Sequence, residues 1–502
     1  MPNPLYDVLF AALASRNSTL LFLQDGREIS GLAFYAQIAR FAHALRGLGV
    51  QPGDRVAVQI AKSSEALAIY AATVSIGAIF LPLNTAYTAS ELDYFIGNAT
   101  PQLFLCDPAK AESLRAIAQA HSAQLLTLGP NGVGSLPDIS AGQSADFTPT
   151  DRAPDDLAAI LYTSGTTGRS KGAMLTHRNL LSNAETLAKL WRFTDHDTLL
   201  HALPIFHTHG LFVASNVSLL SGGRMIFLPT FDAETAIHLM PQATAMMGVP
   251  TYFTRLLDTP GLSEAAKHMR LFISGSAPLL AETHLAFEAQ TGHRILERYG
   301  MTETNMNTSN PYDGDRRAGT VGLPLPDVEI RLTTNGAEVA QGEVGMIEVR
   351  GPNVFAGYWQ MPEKTAEELA SDGWFLTGDL ATRDADGYIS IVGRAKDLII
   401  TGGYNVYPKE LELLLDDVPG VLESAVIGLP HPDFGEAVFA VLSPRKGVTL
   451  DPVAVLGAIA GDLARFKQPK AAIVVADLPR NTMGKVQKNL LRAEYAGWFK
   501  QG

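Results

Sequence analysis

The sequence contains only one cysteine, Cys106, among its 502 residues. A single thiol cannot form an intramolecular disulfide, so a disulfide-stabilised extracellular fold is excluded and a reducing compartment is favoured. Cys106 ends an apolar run, residues 103–106, which predicts a buried strand and a core cysteine rather than a nucleophile. We therefore expect a cytoplasmic protein.

Long blocks of like charge and membrane-length apolar segments are also missing. The 51 acidic and 39 basic side chains give a formal charge of −12. A surface that is acidic on average repels polyanions, so nucleic acid is not an expected partner. The one segment that could mimic a membrane span, residues 66–83, is divided by Gly77 and Pro82. It predicts a buried helix followed by a strand, and no membrane partner.

What the sequence does contain is a regular alternation of short apolar runs with helical patterns from residue 55 onward, which predicts parallel βα units. The apolar content of 46% is sufficient for a large core. A capping box, Thr88-Ala89-Ser90-Glu91, opens one of the helices. Two early strands are expected at 56–58 and 79–83. Later strands, each leading into a helix, are expected at 157–162, 198–203, 225–228, 245–249 and 271–274.

Beyond about residue 325 the pattern changes to shorter, alternating strands, such as 346–349 and 388–392. A smaller α+β domain is expected to follow. Its predicted elements are a helix at 408–414, a strand at 423–427 and a helix at 452–463. We therefore predict an α/β fold with a large N-terminal nucleotide- and acyl-binding domain, 1–393, and a small mobile C-terminal domain, 394–502.

A loop of small and hydroxyl-bearing residues follows the strand predicted at 157–162. It reads Thr163-Ser164-Gly165-Thr166-Thr167-Gly168-Arg169-Ser170-Lys171-Gly172. The unhindered N–H groups and hydroxyls of such a loop can bind a polyphosphate, while Lys171 supplies positive charge. A Walker loop requires Ser or Thr directly after its lysine, whereas Gly172 stands here, so an ordinary P-loop NTPase is disfavoured.

With this loop, the chain resembles the adenylate-forming superfamily of acyl-CoA synthetases, luciferases and peptide-synthetase adenylation domains. Further matching motifs occur in the same order as in the superfamily: Tyr299-Gly300-Met301-Thr302-Glu303, Thr377-Gly378-Asp379, Gly393-Arg394-Ala395-Lys396-Asp397, Gly402-Gly403-Tyr404-Asn405-Val406-Tyr407-Pro408 and Pro479-Arg480-Asn481-Thr482-Met483-Gly484-Lys485. The resemblance implies that ATP activates a carboxylic acid as an acyl-adenylate, and that a thiol then receives the acyl group. ATP, Mg²⁺ and coenzyme A are the expected cofactors and co-substrates.

The resemblance also implies an ATP site built from several segments. Its phosphate loop comprises Thr163, Ser164, Gly165, Thr166, Thr167, Gly168 and Lys171. Its adenine and acyl walls comprise Gly275, Ser276, Ala277, Pro278, Glu297, Arg298, Tyr299, Gly300, Met301 and Thr302. Glu303 and Thr166 are expected to hold Mg²⁺, which prefers oxygen ligands. Asp379 matches the carboxylate that accepts the ribose hydroxyls, and Arg394 matches a residue that contacts the ribose or a phosphate.

For the C-terminal domain, the resemblance implies a catalytic role for Lys485. In the superfamily that it resembles, the equivalent lysine bridges the incoming carboxylate and the ATP phosphate, and so stabilises charge in the first half-reaction. Lys396 matches the hinge, while Gly402, Gly403 and Tyr404 line the path of the coenzyme A thiol in the second half-reaction. A lysine acetyltransferase acting on Lys485 is a candidate regulatory partner.

The segment His207-Thr208-His209-Gly210 lies where the superfamily builds its acyl pocket. Amino-acid-activating relatives usually carry aspartate after the phenylalanine, whereas His207 follows Phe206 here, so an amino-acid substrate is disfavoured. His207 matches a gate beside the acyl carboxyl and the thiol path. Thr208 and Met306 match positions that limit bulk at the α-carbon. Overall the chain looks closest to the malonate-activating members of the superfamily, with methylmalonate as a further candidate substrate.

A small dicarboxylate needs a partner for its second carboxylate, because burying that charge unpaired would cost several kcal/mol. The candidate arginines are Arg255, Arg270 and Arg298. We choose Arg255, because the helix that follows the strand at 245–249 would point its first turns into the pocket. The Ser276 hydroxyl is a second candidate donor to this carboxylate.

Two enzymatic alternatives remain open. The first is an acyl-CoA synthetase for another short or medium carboxylic acid, and the second is a stand-alone adenylation enzyme that loads a carrier protein. A catalytically inactive binding protein on the same fold is disfavoured, because Glu303, Asp379, Arg394 and Lys485 are all present.

Overall fold

The computed structural model describes residues 3–163, 170–402, 404–481 and 484–499. The chain forms two compact units: Met1–Ile330 with Val349–Phe375, and Arg331–Glu348 with Leu376–Gly502. The predicted α/β class is confirmed, whereas the boundary of a mobile domain at residue 394 stays a prediction. Within the described ranges, no helix combines the length and the apolar character needed to cross a bilayer.

A nine-stranded sheet forms one half of the first unit. From edge to edge its strands are Leu323–Pro324, Asn305–Ser309, Leu296–Met301, Leu271–Ser274, Ala245–Gly248, Thr198–His201, Arg224–Phe227, Thr19–Leu23 and Glu28–Ser30. The strands from Leu296–Met301 to Thr19–Leu23 are parallel, and the outer strands on both sides are antiparallel. The carboxyl ends of the parallel strands therefore meet at one edge, where ligands bind in open α/β sheets.

A six-stranded sheet forms the other half of the first unit. Its strands, in order, are Gln124–Thr127, Leu103–Cys106, Arg55–Gln59, Ile79–Pro82, Leu157–Thr163 and Lys171–Thr176. The expectation that the strand at 157–162 leads into a helix is wrong, because Lys171–Thr176 returns antiparallel to it. An antiparallel neighbour needs only a connecting loop, whereas a parallel one needs a crossover. Lys171 therefore begins an edge strand.

Helices cover these sheets. The α-helices of the first unit's described residues are Pro4–Leu9, Gly31–Gly47, Ser64–Ser75, Ala89–Ala99, Ala111–Ala120, Ser135–Ser140, His177–Leu190, Asn216–Leu220, Ala233–Leu239, Pro250–Leu257, Leu262–Ala265, Ala281–Thr291 and Pro362–Glu368. The predicted capping box is confirmed, since the backbone N–H of Thr88 donates to the Glu91 carboxylate at 2.8 Å and that of Glu91 donates to the Thr88 hydroxyl at 3.3 Å. Cys106 is confirmed as a buried core residue, and burial raises the pKa of its thiol to about 11.

Two further sheets lie largely in the second unit. One has the strand order Ala337–Glu338, Glu329–Thr334, Gly345–Arg350, Phe375–Arg383 and Ile389–Arg394. The other has the order Tyr404–Val406, Ile399–Thr401, Gly435–Pro444 and Val421–His431, with Ala471–Val474 also paired to Gly435–Pro444. The α-helices here are Pro408–Asp416, Pro452–Ile459 and Lys488–Tyr495. The helix predicted at 452–463 ends earlier and continues as a 3₁₀ turn, because Gly461 weakens the last α-helical turn.

Candidate active site

The phosphate-loop strand, Leu157–Thr163, delivers the chain to the predicted ATP phosphate site. The predicted ligands Ser164, Gly165, Thr166, Thr167 and Gly168 lie outside the described residues. Thr163, before these residues, and Lys171, after them, lie at the two ends of the loop.

Glu303 lies in the turn between the antiparallel strands Leu296–Met301 and Asn305–Ser309. Its carboxylate Oε1 lies 3.2 Å from Oγ1 of Thr163 and 3.1 Å from the Tyr358 hydroxyl. This places the predicted metal ligand beside the first residue of the phosphate loop, although the two are far apart in sequence.

The Tyr358 hydroxyl lies between two carboxylates, since it is also 2.6 Å from Oε2 of Glu368. Burial raises its pKa far above the ordinary value, and the negative charge of Glu303 adds to this effect. The hydroxyl therefore keeps its single proton and can donate to only one carboxylate at a time. The carboxylate oxygens of Glu303 are ligands of the hard type that Mg²⁺ prefers.

Lys171 is held at the same place. Its Nζ donates to both carboxylate oxygens of Glu368 at 3.0 Å and lies 4.1 Å from the ring centroid of Tyr358. Burial opposes ionisation of Glu368, but hydrogen bonds from Tyr358, Lys171 and Lys364 together lower its pKa. Tyr358 and Glu368 were not identified from the sequence, because neither belongs to a motif that predicts their contact with the loop.

The second part of the site surrounds the His207-Thr208-His209 segment. A π-helix, His209–Ser215, begins here, and such helices occur frequently at functional sites. Gly210 is required in it, because a Cβ atom would lie 2.1 Å from the carbonyl oxygen of Pro204. The backbone N–H of His209 donates to Nδ1 of His207 at 3.3 Å, so the ring of His207 is held against the start of the π-helix.

His201, at the end of a parallel strand, supports this π-helix. Its Nε2 lies 2.9 Å from the carbonyl oxygen of Gly210 and 3.1 Å from Oγ of Ser215. Lys62 lies on the other side of the ring, 3.0 Å from Nδ1, and also donates to the carbonyl oxygen of His201 at 2.8 Å. Burial lowers the pKa of both Lys62 and His201 well below their ordinary values. Neither residue was identified from the sequence.

Ser276 lies opposite the π-helix, just beyond the strand Leu271–Ser274. Its Oγ is 3.1 Å from Nδ1 of His209, and its backbone is left-handed with φ of 73°. A left-handed non-glycine residue stores strain, which is typical of functional sites. Two predicted pocket residues from separate segments therefore meet here.

Arg298 packs against Gly275, the residue before Ser276, and is only 4% exposed. Its Nε and Nη2 atoms have no hydrogen-bond partner among the described residues. Burial lowers the pKa of Arg298 to about 9, so the guanidinium is still positively charged at neutral pH. Burial also holds the pKa of His209 well below its ordinary value, and the charge of Arg298 adds to this lowering. The arrangement is a buried cation beside a neutral imidazole and a hydroxyl, which can receive an anion.

The other candidate arginines lie elsewhere. Arg255 is exposed on the helix Pro250–Leu257, whereas Arg270 forms an ion pair with Asp197 at 2.7 Å. Thr208 and Met306 are both buried at 2% exposure, and the Thr208 hydroxyl has no partner among the described residues. Arg270 precedes the strand Leu271–Ser274 and is held in this ion pair.

The remaining wall residues differ in exposure. Tyr299, Gly300, Met301 and Thr302 are partly buried, as are Ser276 and Ala277, whereas Pro278 is exposed and Gly275 is buried. Glu297 is buried, and its Oε1 lies 3.3 Å from Nδ1 of His284. Adjacent residues of a strand point to opposite faces, so Glu297 and Arg298 have different surroundings.

In the second unit, Asp379 and Arg394 form an ion pair at 2.5 Å across neighbouring strands. Asp379 is buried, and its backbone N–H donates to the Thr377 hydroxyl at 3.1 Å. Burial lowers the pKa of Lys396, the predicted hinge residue, which follows Arg394 closely.

The second unit also contains Lys485 in a turn closed by antiparallel pairing of Arg480 with Val486. Gly402 and Tyr404 flank Gly403, which lies outside the described residues. Gly402 has φ of 56°, and Tyr404 is 59% exposed with its ring stacked on Phe466. The predicted roles of these residues depend on substrates and stay predictions.

The described residues contain no group of three or more His, Cys, Asp or Glu side chains suited to hold a metal ion. Mg²⁺ is usually bound by one or two carboxylates together with substrate phosphates, so a single carboxylate such as Glu303 is sufficient.

The chain matches the AMP-binding enzyme family over residues 10–359 and the AMP-binding enzyme C-terminal domain over residues 410–485. A malonate–CoA ligase of Arabidopsis thaliana is 35% identical over 480 residues, covering 89% of this chain and 79% of the relative. A sulfoacetate–CoA ligase of Cupriavidus necator is 34% identical over 498 residues, covering 96% and 97%.

A solved structure is more similar still. The crystal structure of ATP-bound MatB from Rhodopseudomonas palustris has a TM-score of 0.97 and 58% sequence identity, and covers 99% of this chain and 100% of that one. The similarity therefore extends over the whole chain rather than over single motifs.

Proposed function

Because the chain belongs to the AMP-binding enzyme family, we propose that it is a malonyl-CoA synthetase. It converts malonate, ATP and coenzyme A to malonyl-CoA, AMP and pyrophosphate through a malonyl-adenylate. Methylmalonate is a further candidate substrate. Malonate and sulfoacetate, the acids named in two relatives, both carry a second anionic group, which fits a pocket that binds an anion.

The buried Arg298 is the observation that carries this proposal. A buried charge without a partner is costly, and a ligand carboxylate is equally costly to bury alone. Pairing the distal carboxylate of malonate with Arg298 removes both penalties, because a guanidinium can bind a carboxylate through two parallel hydrogen bonds. A fatty or aryl acid carries no group that would satisfy Arg298 in this way.

His209 and Ser276 complete the proposed carboxylate site. The neutral imidazole carries one proton, and if the Ser276 hydroxyl donates to Nδ1, that proton lies on Nε2. Nε2 is buried and has no partner among the described residues, so it can donate to the substrate. Discrimination against monocarboxylates then follows, because they would leave both Arg298 and His209 unsatisfied.

This geometry favours Arg298 over Arg255, the arginine preferred from the sequence. Arg255 is exposed and stays hydrated, so a carboxylate beside it would gain little over one in water. Arg298 is enclosed, where the same ion pair is much stronger.

In the first half-reaction, a carboxylate oxygen of malonate attacks the α-phosphorus of ATP, the bond to the β-phosphate oxygen breaks, and pyrophosphate leaves. Attacking and attacked groups are both negatively charged, so cations must surround them. We propose that Lys171 and Lys485 supply positive charge to the phosphates. Glu303, with Thr166, would hold Mg²⁺, which neutralises phosphate charge when bound.

In the second half-reaction, the thiol of coenzyme A attacks the acyl carbon, the thiol proton is released, and AMP leaves. We propose that His207 lies beside this reacting carbon. Gly402, Gly403 and Tyr404 are proposed to line the thiol path after a rotation about Lys396. Asp379 and Arg394 are proposed to contact the ribose, and the mobile domain is proposed to begin at residue 394.

The enzyme is also proposed to be cytoplasmic and to be regulated by acetylation. A cytoplasmic location agrees with the single, reduced cysteine. A lysine acetyltransferase is proposed to act on Lys485, where acetylation would remove the positive charge that the first half-reaction requires.

Turnover with a panel of acids tests the substrate. AMP formation dependent on coenzyme A should be fastest with malonate, followed by methylmalonate, and much slower with succinate and acetate. Faster turnover of acetate or of an aryl acid would instead support the first alternative, a synthetase for another carboxylic acid. Adenylation without thioester formation from coenzyme A would support the second alternative, a carrier-loading enzyme.

A further inference from the structure

The turn that carries Lys485 is fixed by its own backbone and by neighbouring side chains. The backbone N–H of Asn481 donates to the carbonyl oxygen of Lys485 at 2.9 Å. The backbone N–H of Gly484 donates to the carbonyl oxygen of Asn481, also at 2.9 Å. The Asn481 side chain accepts the N–H of Lys485 at 3.0 Å. Gly484 has φ of 74°, which favours glycine. These bonds define the shape of the turn but do not attach it to the rest of the second unit.

Arg480 provides that attachment. One nitrogen of its guanidinium, Nη1, donates to the carbonyl oxygen of Gly484 at 2.6 Å. The other terminal nitrogen, Nη2, forms an ion pair with Glu423. Glu423 lies on the strand Val421–His431, which is paired with Gly435–Pro444 through nearly its whole length. One planar group therefore connects the turn to a rigid strand.

A second anchor lies just after the turn. Nζ of Lys488 is 2.5 Å from Oε1 of Glu412, and the same oxygen accepts the backbone N–H of Val426 at 2.9 Å. This anchor holds the helix Lys488–Tyr495 rather than the turn itself. The residue next to Lys485, Gly484, is thus held from outside the turn through Arg480.

We propose that Arg480 is a positioning residue that fixes the backbone of Lys485 for the adenylation half-reaction. This inference rests on the proposed function. A lysine side chain has many rotamers, so its ammonium reaches one phosphate efficiently only if its backbone is fixed. Arginine can do this because its fork binds a carbonyl and a carboxylate at once, whereas the single ammonium of lysine cannot reproduce that geometry.

The test measures the two half-reactions separately in the full-length enzyme. Adenylation is followed by malonate-dependent exchange of pyrophosphate into ATP, and thioester formation by malonyl-CoA production from supplied malonyl-AMP. R480K and R480A should lower the adenylation rate roughly 10- to 100-fold, because displacement of a catalytic group by about 1 Å has effects of this size. Thioester formation should stay within about twofold of the wild type.

A charge-swapped double variant, R480E with E423R, separates positioning from simple stabilisation. It restores an ion pair but gives the Gly484 carbonyl no donor from residue 480. We therefore expect recovery of the thermal unfolding midpoint without recovery of adenylation. R331K and R331A serve as matched controls, because Arg331 pairs with Glu348 at 2.6 Å in the same unit. In these control variants, the ratio of the adenylation rate to the rate of thioester formation should equal that of the wild type.

The outcomes are distinct. A wild-type enzyme without malonate-dependent exchange overturns the proposed function. If the wild type does exchange pyrophosphate into ATP, any of three results overturns the role of Arg480. These are an equal loss of rate in both half-reactions of R480K, an unchanged adenylation rate in R480A, and a recovered adenylation rate in the charge-swapped double variant.

Discussion

A Cβ atom added to Gly275 would lie 2.3 Å from Cζ of Arg298. Real Cβ atoms essentially never approach another atom closer than 3.0 Å, so the guanidinium can occupy its place only because residue 275 is glycine. The buried cation of the proposed carboxylate site is thus enclosed by a backbone segment, and Ser276 on that segment contributes its hydroxyl.

Substitution of Gly275 by alanine should displace Arg298. We expect KM for malonate to rise roughly tenfold, because the guanidinium must leave its position. KM for acetate should change less, since acetate has no distal carboxylate. The matched control is Gly47→Ala, where a Cβ atom meets nothing within 4 Å. An equal rise for both acids would contradict the assignment of Arg298.

Loss of the positive charge at residue 298 should lower kcat/KM for malonate much more than loss of the positive charge at residue 255. For Arg298→Gln we expect kcat/KM for malonate to fall roughly 100-fold, because a buried, charge-assisted carboxylate contact is lost. Arg255→Gln, on an exposed residue, should change it less than about twofold. Steady-state kinetics of both variants decide between the two arginines, and greater sensitivity of Arg255 would restore the choice made from the sequence.

Tyr358→Phe should lower the affinity of the enzyme for Mg²⁺ during adenylation. The hydroxyl that orients Glu303 and Glu368 is lost, and loss of such a supporting contact typically lowers metal affinity 10- to 100-fold. We expect the Mg²⁺ concentration for half-maximal adenylation to rise by at least about fivefold. Tyr35→Phe, which removes a buried hydroxyl bonded to Tyr6, is the control and should not shift it. Unchanged Mg²⁺ dependence in Tyr358→Phe would argue against Glu303 as a ligand.

Asp416 gives the second unit a pH-dependent stability. Burial raises the pKa of its carboxyl from 3.8 to about 7. The folded protein then binds this proton more tightly than the unfolded chain, so the associated stability is complete below about pH 3.8 and is lost as the pH rises to about 7. At higher pH a buried charge remains, although the Ser424 hydroxyl donates to it at 2.7 Å.

Asp416→Asn removes this charge and keeps an oxygen that accepts from Ser424. We expect the free energy of unfolding to increase by about 2 kcal/mol more at pH 8 than at pH 5. Denaturant unfolding at both pH values measures the difference. Asp417→Asn, at the exposed neighbouring position, is the control. An increase that is equal at both pH values would show that the carboxyl of Asp416 is not the titrating group.

Lys485→Ala should separate the half-reactions of the enzyme. Malonate-dependent pyrophosphate exchange should be abolished, because no other side chain replaces the ammonium at the reacting phosphate. Formation of malonyl-CoA from supplied malonyl-AMP should be retained. Lys467→Ala removes a lysine paired with Glu410 and should leave exchange intact. Adenylation that survives in Lys485→Ala would refute the proposed role.

The fold was largely accessible from the sequence because parallel strands buried on both faces appear as short apolar runs. Leu271–Ser274 was predicted with its observed bounds, and Ala245–Gly248 within one residue. The comparisons confirm the adenylate-forming fold. The edge strand Lys171–Thr176 was missed, because the glycines and hydroxyls before it indicate a loop and do not show where the chain next pairs.

The candidate site was accessible only in part. Motif residues adjacent in sequence, such as His207 and His209, were identified because spacing reveals them. Contacts over long sequence separations were not: Tyr358 is 55 residues from Glu303, and Glu368 is 197 residues from Lys171. No local pattern marks such pairs, since their partners are chosen by how strands and helices pack.

The alternation of apolar runs with helical patterns thus predicted the α/β layout, and the family chemistry was implied by the resemblance of the ordered motifs to a known superfamily. Both signals are local, because backbone propensity and the chemistry of adjacent side chains are properties of short segments. Only the tertiary structure shows that Arg298 is buried whereas Arg255 is exposed. Only the tertiary structure also shows that Arg480 attaches the Lys485 turn to Glu423. Both depend on which groups lose contact with water and which distant groups become neighbours, and burial and proximity of this kind are properties of the packed chain.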